Sequence, residues 1–179
     1  MRKLILIGLV LVTAWSCKQA EVRYTQNSPE IDQIKGMVAD YLAGNWDTFQ
    51  ARYADTAKLY HNTWDQPMNP GQRLDEMQEM LSSLSDYTFM EDRSEYEMVV
   101  TDKGETWVNF WGVWKGVLMA NSKEIVTPVH ITARFVDGKI VSEYGYWDTA
   151  PLMMAMQELA QQAQQMEEES DMEEDSSTE

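Results

Sequence analysis

Proton transfer near neutral pH has few places to reside in this chain, which holds two histidines, His61 and His130, and one cysteine, Cys17, among 179 residues. A neutral imidazole takes or gives a proton near pH 7 without large tuning. His61, closing the short run Ala57-Lys58-Leu59-Tyr60-His61, is therefore the sharpest candidate acid or base. Asp148, in Tyr146-Trp147-Asp148, supplies a carboxylate beyond the last aromatic segment. An aspartate just ahead of Pro151 is equally suited to capping a helix, so acid/base work and capping stand as its two readings. His130 is one step out of phase with Ile131, Ala133 and Phe135 and is expected to face outward as a structural residue. Two histidines and one cysteine do not make a zinc set, and no glycine-rich phosphate loop, nucleophile elbow or CxxC is present. No metal site and no cofactor are expected.

The elements that must position these residues change character along the chain. Ser28-Pro29-Glu30 is a helix start, and Ile31, Ile34, Met37, Val38, Tyr41 and Leu42 then recur at three- and four-residue spacing up to a stop at Gly44. Trp46, Phe49 and Tyr53 predict a second, short helix, and residues 57–62 a short strand. After the break at Asn69-Pro70-Gly71, the residues Leu74, Met77, Met80, Leu81 and Leu84 predict a third helix. Residues 87–90, 96–100, 106–119, 124–135 and 140–147 are rich in aromatic and β-branched side chains, and turn-forming Asp102-Lys103-Gly104, Asn121-Ser122 and Asp137-Gly138 separate the later ones. Helices first and antiparallel strands afterwards make an α+β domain, its late strands a meander with one face covered by the early helices. Trp107, Asn109, Trp111 and Val113 alternate with Val108, Phe110, Gly112 and Trp114, so both faces of that strand are apolar, which favours a homodimer. A last helix is predicted after Pro151 through Leu152, Met153, Met156 and Leu159.

Charge separates the chain into parts. The total of −16 comprises +2 in residues 1–16, −8 in residues 166–179 and −10 in the stretch between them. An acidic chain without a basic run is a poor partner for nucleic acid or for anionic lipid headgroups. Arg2 and Lys3 precede an uncharged apolar run over residues 4–12, too short to span a bilayer, which reads as a signal-peptide core. The following Thr13-Ala14-Trp15-Ser16-Cys17 resembles a bacterial lipobox, implying cleavage before Cys17 and acylation of its thiol. The expected organisation is a lipoprotein signal peptide at 1–16, a tether at 17–28, a folded domain at 29–160 and an acidic disordered tail at 161–179. Such a protein would be exported and anchored by lipid in the bacterial cell envelope, on its periplasmic or surface face.

The order of elements, with Tyr41-Leu42-Ala43-Gly44-Asn45-Trp46-Asp47, Tyr53-Ala54-Asp55-Thr56-Ala57, Arg134-Phe135-Val136-Asp137-Gly138-Lys139-Ile140-Val141 and Tyr146-Trp147-Asp148, resembles the nuclear transport factor 2-like superfamily in its SnoaL-like and ketosteroid isomerase-like branch. The resemblance implies a cone: a curved antiparallel sheet wrapped around the N-terminal helices, with a pocket that takes small, largely apolar molecules. It places the isomerase base at or beside His61, its tyrosine donor at Met37 and its aspartic acid donor near Ile131, so two of the three roles fall on apolar residues. Asp148 matches the aspartate that many SnoaL-like sequences carry at the end of the last strand. The expected lining is Met37, Tyr41, Tyr60, Trp64, Trp111, Ile131 and Tyr146. A membrane-anchored domain binding a small apolar ligand is the first reading. An isomerase, cyclase or hydrolase using His61 and Asp148 as an acid/base pair, and a dimeric adaptor acting through the outer sheet face, are the alternatives.

Overall fold

The computed structural model describes residues 22–176, so the export segment and Cys17 lie outside the described residues. Helix α1, Pro29–Ala43, begins where Ser28 Oγ accepts the Ile31 N–H at 3.2 Å and ends where Gly44 turns left-handed at φ 69°. It buries Ile31, Ile34, Met37 and Tyr41, the stripe that its spacing predicts. A short helix α2, Trp46–Gln50, leads into strand β2, Tyr53–His61. Helix α3, Pro70–Leu81, is opened by a reciprocal cap in which Asn69 and Gln72 each accept the other's backbone N–H through their side chains. The remaining strands are β3, Leu84–Phe89; β4, Glu95–Val100; β5, Thr106–Leu118; β6, Glu124–Val136; and β7, Lys139–Trp147, followed by helix α4, Ala150–Ser176.

The fold is α+β, with a curved, open sheet that a short first strand, β1 (Tyr24–Thr25), joins at one edge, and whose order runs β1-β4-β5-β6-β7-β2. Strands β4 to β7 form the expected antiparallel meander. Long β5 carries two partners end to end on one edge: β4 against its first half and β3 against its second. Helices α1 and α3 cover the concave face, and Phe110, Leu118, Ile125, Ala133 and Ile140 meet them from the sheet.

Tyr53 and Leu84, expected to close the second and third helices, instead open β2 and β3, and three larger features depart from the sequence reading. The sheet is mixed, because β2 pairs parallel to β7, whereas an all-antiparallel sheet was expected. Alternation of apolar residues encodes which face a strand buries and carries nothing about its direction relative to a strand far away in sequence. Part of the expected tether is strand β1, Tyr24–Thr25, paired with β4; an edge strand needs only free backbone groups, so no apolar period announces it. Finally, α4 continues to Ser176 instead of giving way to a disordered tail at residue 161. Ala155 is fully buried and Leu152 and Leu159 pack on the core, which docks the first turns. Beyond them the Gln-, Met- and Glu-rich sequence is strongly helix-forming, so the helix propagates outward without further packing.

One irregularity decides the site. On the β6–β7 ladder Arg134 faces Ser142 while the next residue, Phe135, faces Ile140, so Val141 is an extra residue on β7. Ile140 is buried, and after the bulge the buried parity passes to Glu143 and Gly145.

Candidate functional site

A cavity of about 300 Å³ opens between α1, α3, the first turn of α4 and the concave face of the sheet. Met37, Met77, Phe110, Ile131 and Leu152 make much of its wall. Tyr41 also borders it, its hydroxyl accepting the Trp114 indole N–H at 2.9 Å, and burial pushes that phenol well above its ordinary pKa, so it stays neutral.

The bulge on β7 aims Glu143 into this apolar wall. Its carboxylate is held from both sides: Oε2 accepts from the Tyr53 hydroxyl at 2.8 Å, and Oε1 lies 2.7 Å from His61 Nε2. Both members of the His61–Glu143 pair are withdrawn from solvent, their side chains 5% and 3% exposed. Burial by itself would raise the Glu143 pKa, yet the hydrogen bond from His61 and its positive field, the hydrogen bond from Tyr53 and the positive field of Arg73 together hold it below the ordinary glutamate value. The carboxylate therefore stays ionised. His61 Nδ1 is buried without a partner.

Gly145 permits this crowding. A Cβ at that position would fall 2.5 Å from the Trp147 ring and 2.8 Å from His61 Cδ2, so only glycine lets His61 of β2 and Trp147 of β7 meet, with ring centroids 5.0 Å apart. Gly145→Ala is expected to push one ring aside and to cost about 1–3 kcal/mol, as overpacking does, read as a lower urea midpoint at unchanged slope. The Arg73 guanidinium also lies over the Trp147 indole, its Cζ 5.4 Å from the ring centroid.

The sequence-predicted residues divide between the two faces. Met37, Tyr41 and Ile131 stand on the cavity wall. His61 is joined to Glu143 and not to Asp148, and sits behind the wall that Glu143 forms. Asp148 lies exposed at the rim, where its Oδ1 accepts the Ala150 N–H at 2.9 Å at the start of α4, so the expected His61–Asp148 pair is not assembled. Tyr60, Trp64, Trp111 and Tyr146 do not reach the cavity. Tyr60 stacks on Tyr144 at 4.8 Å on the convex face, and Trp64 is 82% exposed in the connection before α3. Trp111 stacks on His130 at 5.0 Å with rings 2° from parallel, and Tyr146 flanks that same imidazole, so His130 does face outward. Unbroken alternation from Ile140 would have turned Tyr146 inward and Glu143 outward; the extra residue at Val141 reverses both. Glu143 is thus the candidate site residue that sequence reasoning missed.

Comparison with known proteins places the chain by shape alone. No protein-family model and no curated protein matches the sequence. Among solved structures, a proposed polyketide cyclase from Xanthomonas campestris pv. campestris matches with a TM-score of 0.58 and 16% identity, over 70% of this chain and 95% of that one. A proposed SnoaL-like polyketide cyclase from Shewanella denitrificans matches with a TM-score of 0.56 and 13% identity, over 74% of this chain and 99% of that one. A nuclear transport factor 2-like protein of unknown function from Burkholderia pseudomallei matches with a TM-score of 0.57 and 11% identity, over 72% and 97%. Such identities carry fold and not activity. With its curved open sheet, covering helices and these neighbours, the chain has the nuclear transport factor 2-like fold found in SnoaL-like proteins.

Proposed function

We propose that this domain binds a small, largely apolar molecule in its cavity, with a polar end of that molecule reaching Glu143. The observation that carries the reading is an open volume of about 300 Å³ with mostly apolar walls, at the lower end of the range typical of small-molecule sites, interrupted by one ionised and fully buried carboxylate. Each carboxylate oxygen has a second lone-pair direction, so Glu143 can accept from a ligand while keeping Tyr53 and His61.

An enzyme of the isomerase, cyclase or hydrolase kind is the second reading, and the Tyr53–Glu143–His61 chain is what favours it, in place of His61 with Asp148. A general base works best with a pKa near the operating pH, and Glu143 is displaced the other way. Binding therefore stands first.

The proposal extends to anchorage and assembly. Cys17, the lone cysteine after an apolar leader, is acylated and holds the domain at the cell envelope. Two copies pair through the convex face, where Trp111 is 38% and Tyr146 48% exposed beside His130. Native mass spectrometry of protein purified from its own host addresses all three parts. A co-purified small molecule, a dimer and an N-terminal Cys17 carrying acyl mass are the expected results. An empty cavity under conditions that retain other bound molecules counts against binding, a monomer at all concentrations against pairing, and an unmodified Cys17 against the anchor.

A further inference from the structure

We infer that the cavity selects an organic cation: a protonated amine carried on a compact apolar or aromatic body. This rests on the binding reading above and names its ligand class.

The charges that border the cavity are unequal. Arg73 supplies one positive group, against Glu76, Glu143 and Asp148. Among the described residues none of these four carboxylate or guanidinium groups has an Arg, Lys, Asp or Glu ion-pair partner, so the three carboxylates outnumber the basic groups at the cavity even when a full charge is counted on His61 beside Glu143. Only Glu143 lies inside; Glu76 and Asp148 are exposed at the rim. A carboxylate buried in a low-dielectric wall favours a cation and repels an anion far more strongly than it would in water.

The second contribution is aromatic. Tyr41, Phe49, Tyr53, Phe110 and Trp114 border the same volume. Their ring faces carry negative potential and attract an ammonium or its adjacent methylene groups within about 6 Å. An amine is thus offered charge-assisted hydrogen bonds at Glu143 and aromatic side chains bordering the same volume, while its apolar body meets Met77 and Ile131. A ligand carboxylate in that position would face Glu143, with Arg73 the one Arg or Lys among the described lining residues. Arg73 opposes the selection, since its charge is felt at Glu143 even though its guanidinium is parked on Trp147. Its removal should therefore strengthen cation binding, the opposite of what an anion-binding arginine would show.

Three probes with one ring system and different charge separate the possibilities: 1-naphthylmethylammonium, 1-naphthalenemethanol and 1-naphthoate, titrated at pH 7.5 into the purified protein by calorimetry and tryptophan quenching. The ammonium is expected to bind about tenfold more tightly than the alcohol, with the naphthoate weakest. Glu143→Gln should close the gap between ammonium and alcohol, and Arg73→Gln should tighten the ammonium severalfold. The wild-type comparison needs no variant to fold. Alcohol or naphthoate binding as tightly as the ammonium overturns the cation inference and leaves the binding reading standing. If none of the three binds, both fall.

Discussion

His61→Ala is expected to destabilise the folded domain by about 3–5 kcal/mol, because it leaves Glu143 as a buried carboxylate that has lost one of its two donors. A pair exposed to solvent would give a fraction of that, since water would replace the missing donor. The measurement is urea denaturation of wild type, His61→Ala and the double variant His61→Ala with Glu143→Leu. If the cost arises from an uncompensated charge, the double variant should be more stable than His61→Ala alone, since the charge is gone and Tyr53 retains the Met37 sulfur 3.1 Å away. A double variant that is weaker by the sum of two independent losses would show that His61 matters only for packing.

The same pair gives an acid signature with a definite sign. The folded pKa of Glu143 lies below the ordinary value of 4.5, so the folded state binds its proton less readily than the unfolded chain. Its contribution is complete above pH 4.5 and drains away as the pH falls through the lowered folded value. In His61→Ala the largest of the interactions that lower this pKa is gone, so the variant should lose less stability than wild type over that acid interval.

How much of this could be read from the residues depends on what a repeating pattern encodes. Helix α1 was legible to its ends, because the Ile31-to-Tyr41 stripe, the Ser28 cap and the Gly44 stop all state the same helix. The meander from β4 to β7 was legible through its turns. Along β5, where both faces are apolar, the choice of Trp111 over its neighbours for the cavity went to the wrong face. A signal was present: a Cβ at Gly112 would fall 2.5 Å from the Phe110 ring, and one at Gly116 would collide with the Trp114 ring. Each aromatic side chain lies along the strand over the glycine two residues on, and glycine leaves that room only on the face where the rings are pressed flat. Glu143 left a fainter trace. Nothing in Ile140-Val141-Ser142-Glu143 announces an inserted residue, since a bulge is fixed by the ladder with β6 and not by local propensity. The fold could therefore be argued from sequence, whereas the buried carboxylate at the centre of the site depended on a one-residue slip between strands.

The assignment of β5's inner face has its own test in two adjacent residues. Phe110→Ala is expected to cost about 3–5 kcal/mol, the range for deleting a buried aromatic ring. Phe110 is fully buried, packs on Phe89 at 5.3 Å and on Tyr96 at 4.9 Å, and forms part of the cavity wall. Its backbone is fixed between Tyr96 of β4 and Ile131 of β6, so the strand cannot move inward to fill the gap. The lost volume instead joins the cavity, which should loosen any ligand that fits the wild-type walls. Trp111→Ala removes a larger ring from the next position, yet that ring is 38% exposed and rests against His130 on the convex side. Measured at dilutions that keep the chain monomeric, it should cost less than half as much as Phe110→Ala and leave probe binding unchanged. The reverse order, with Trp111→Ala the costlier change and the one that disturbs binding, would mean that β5 presents its other face to the helices, and the cavity described at Glu143 would then not exist.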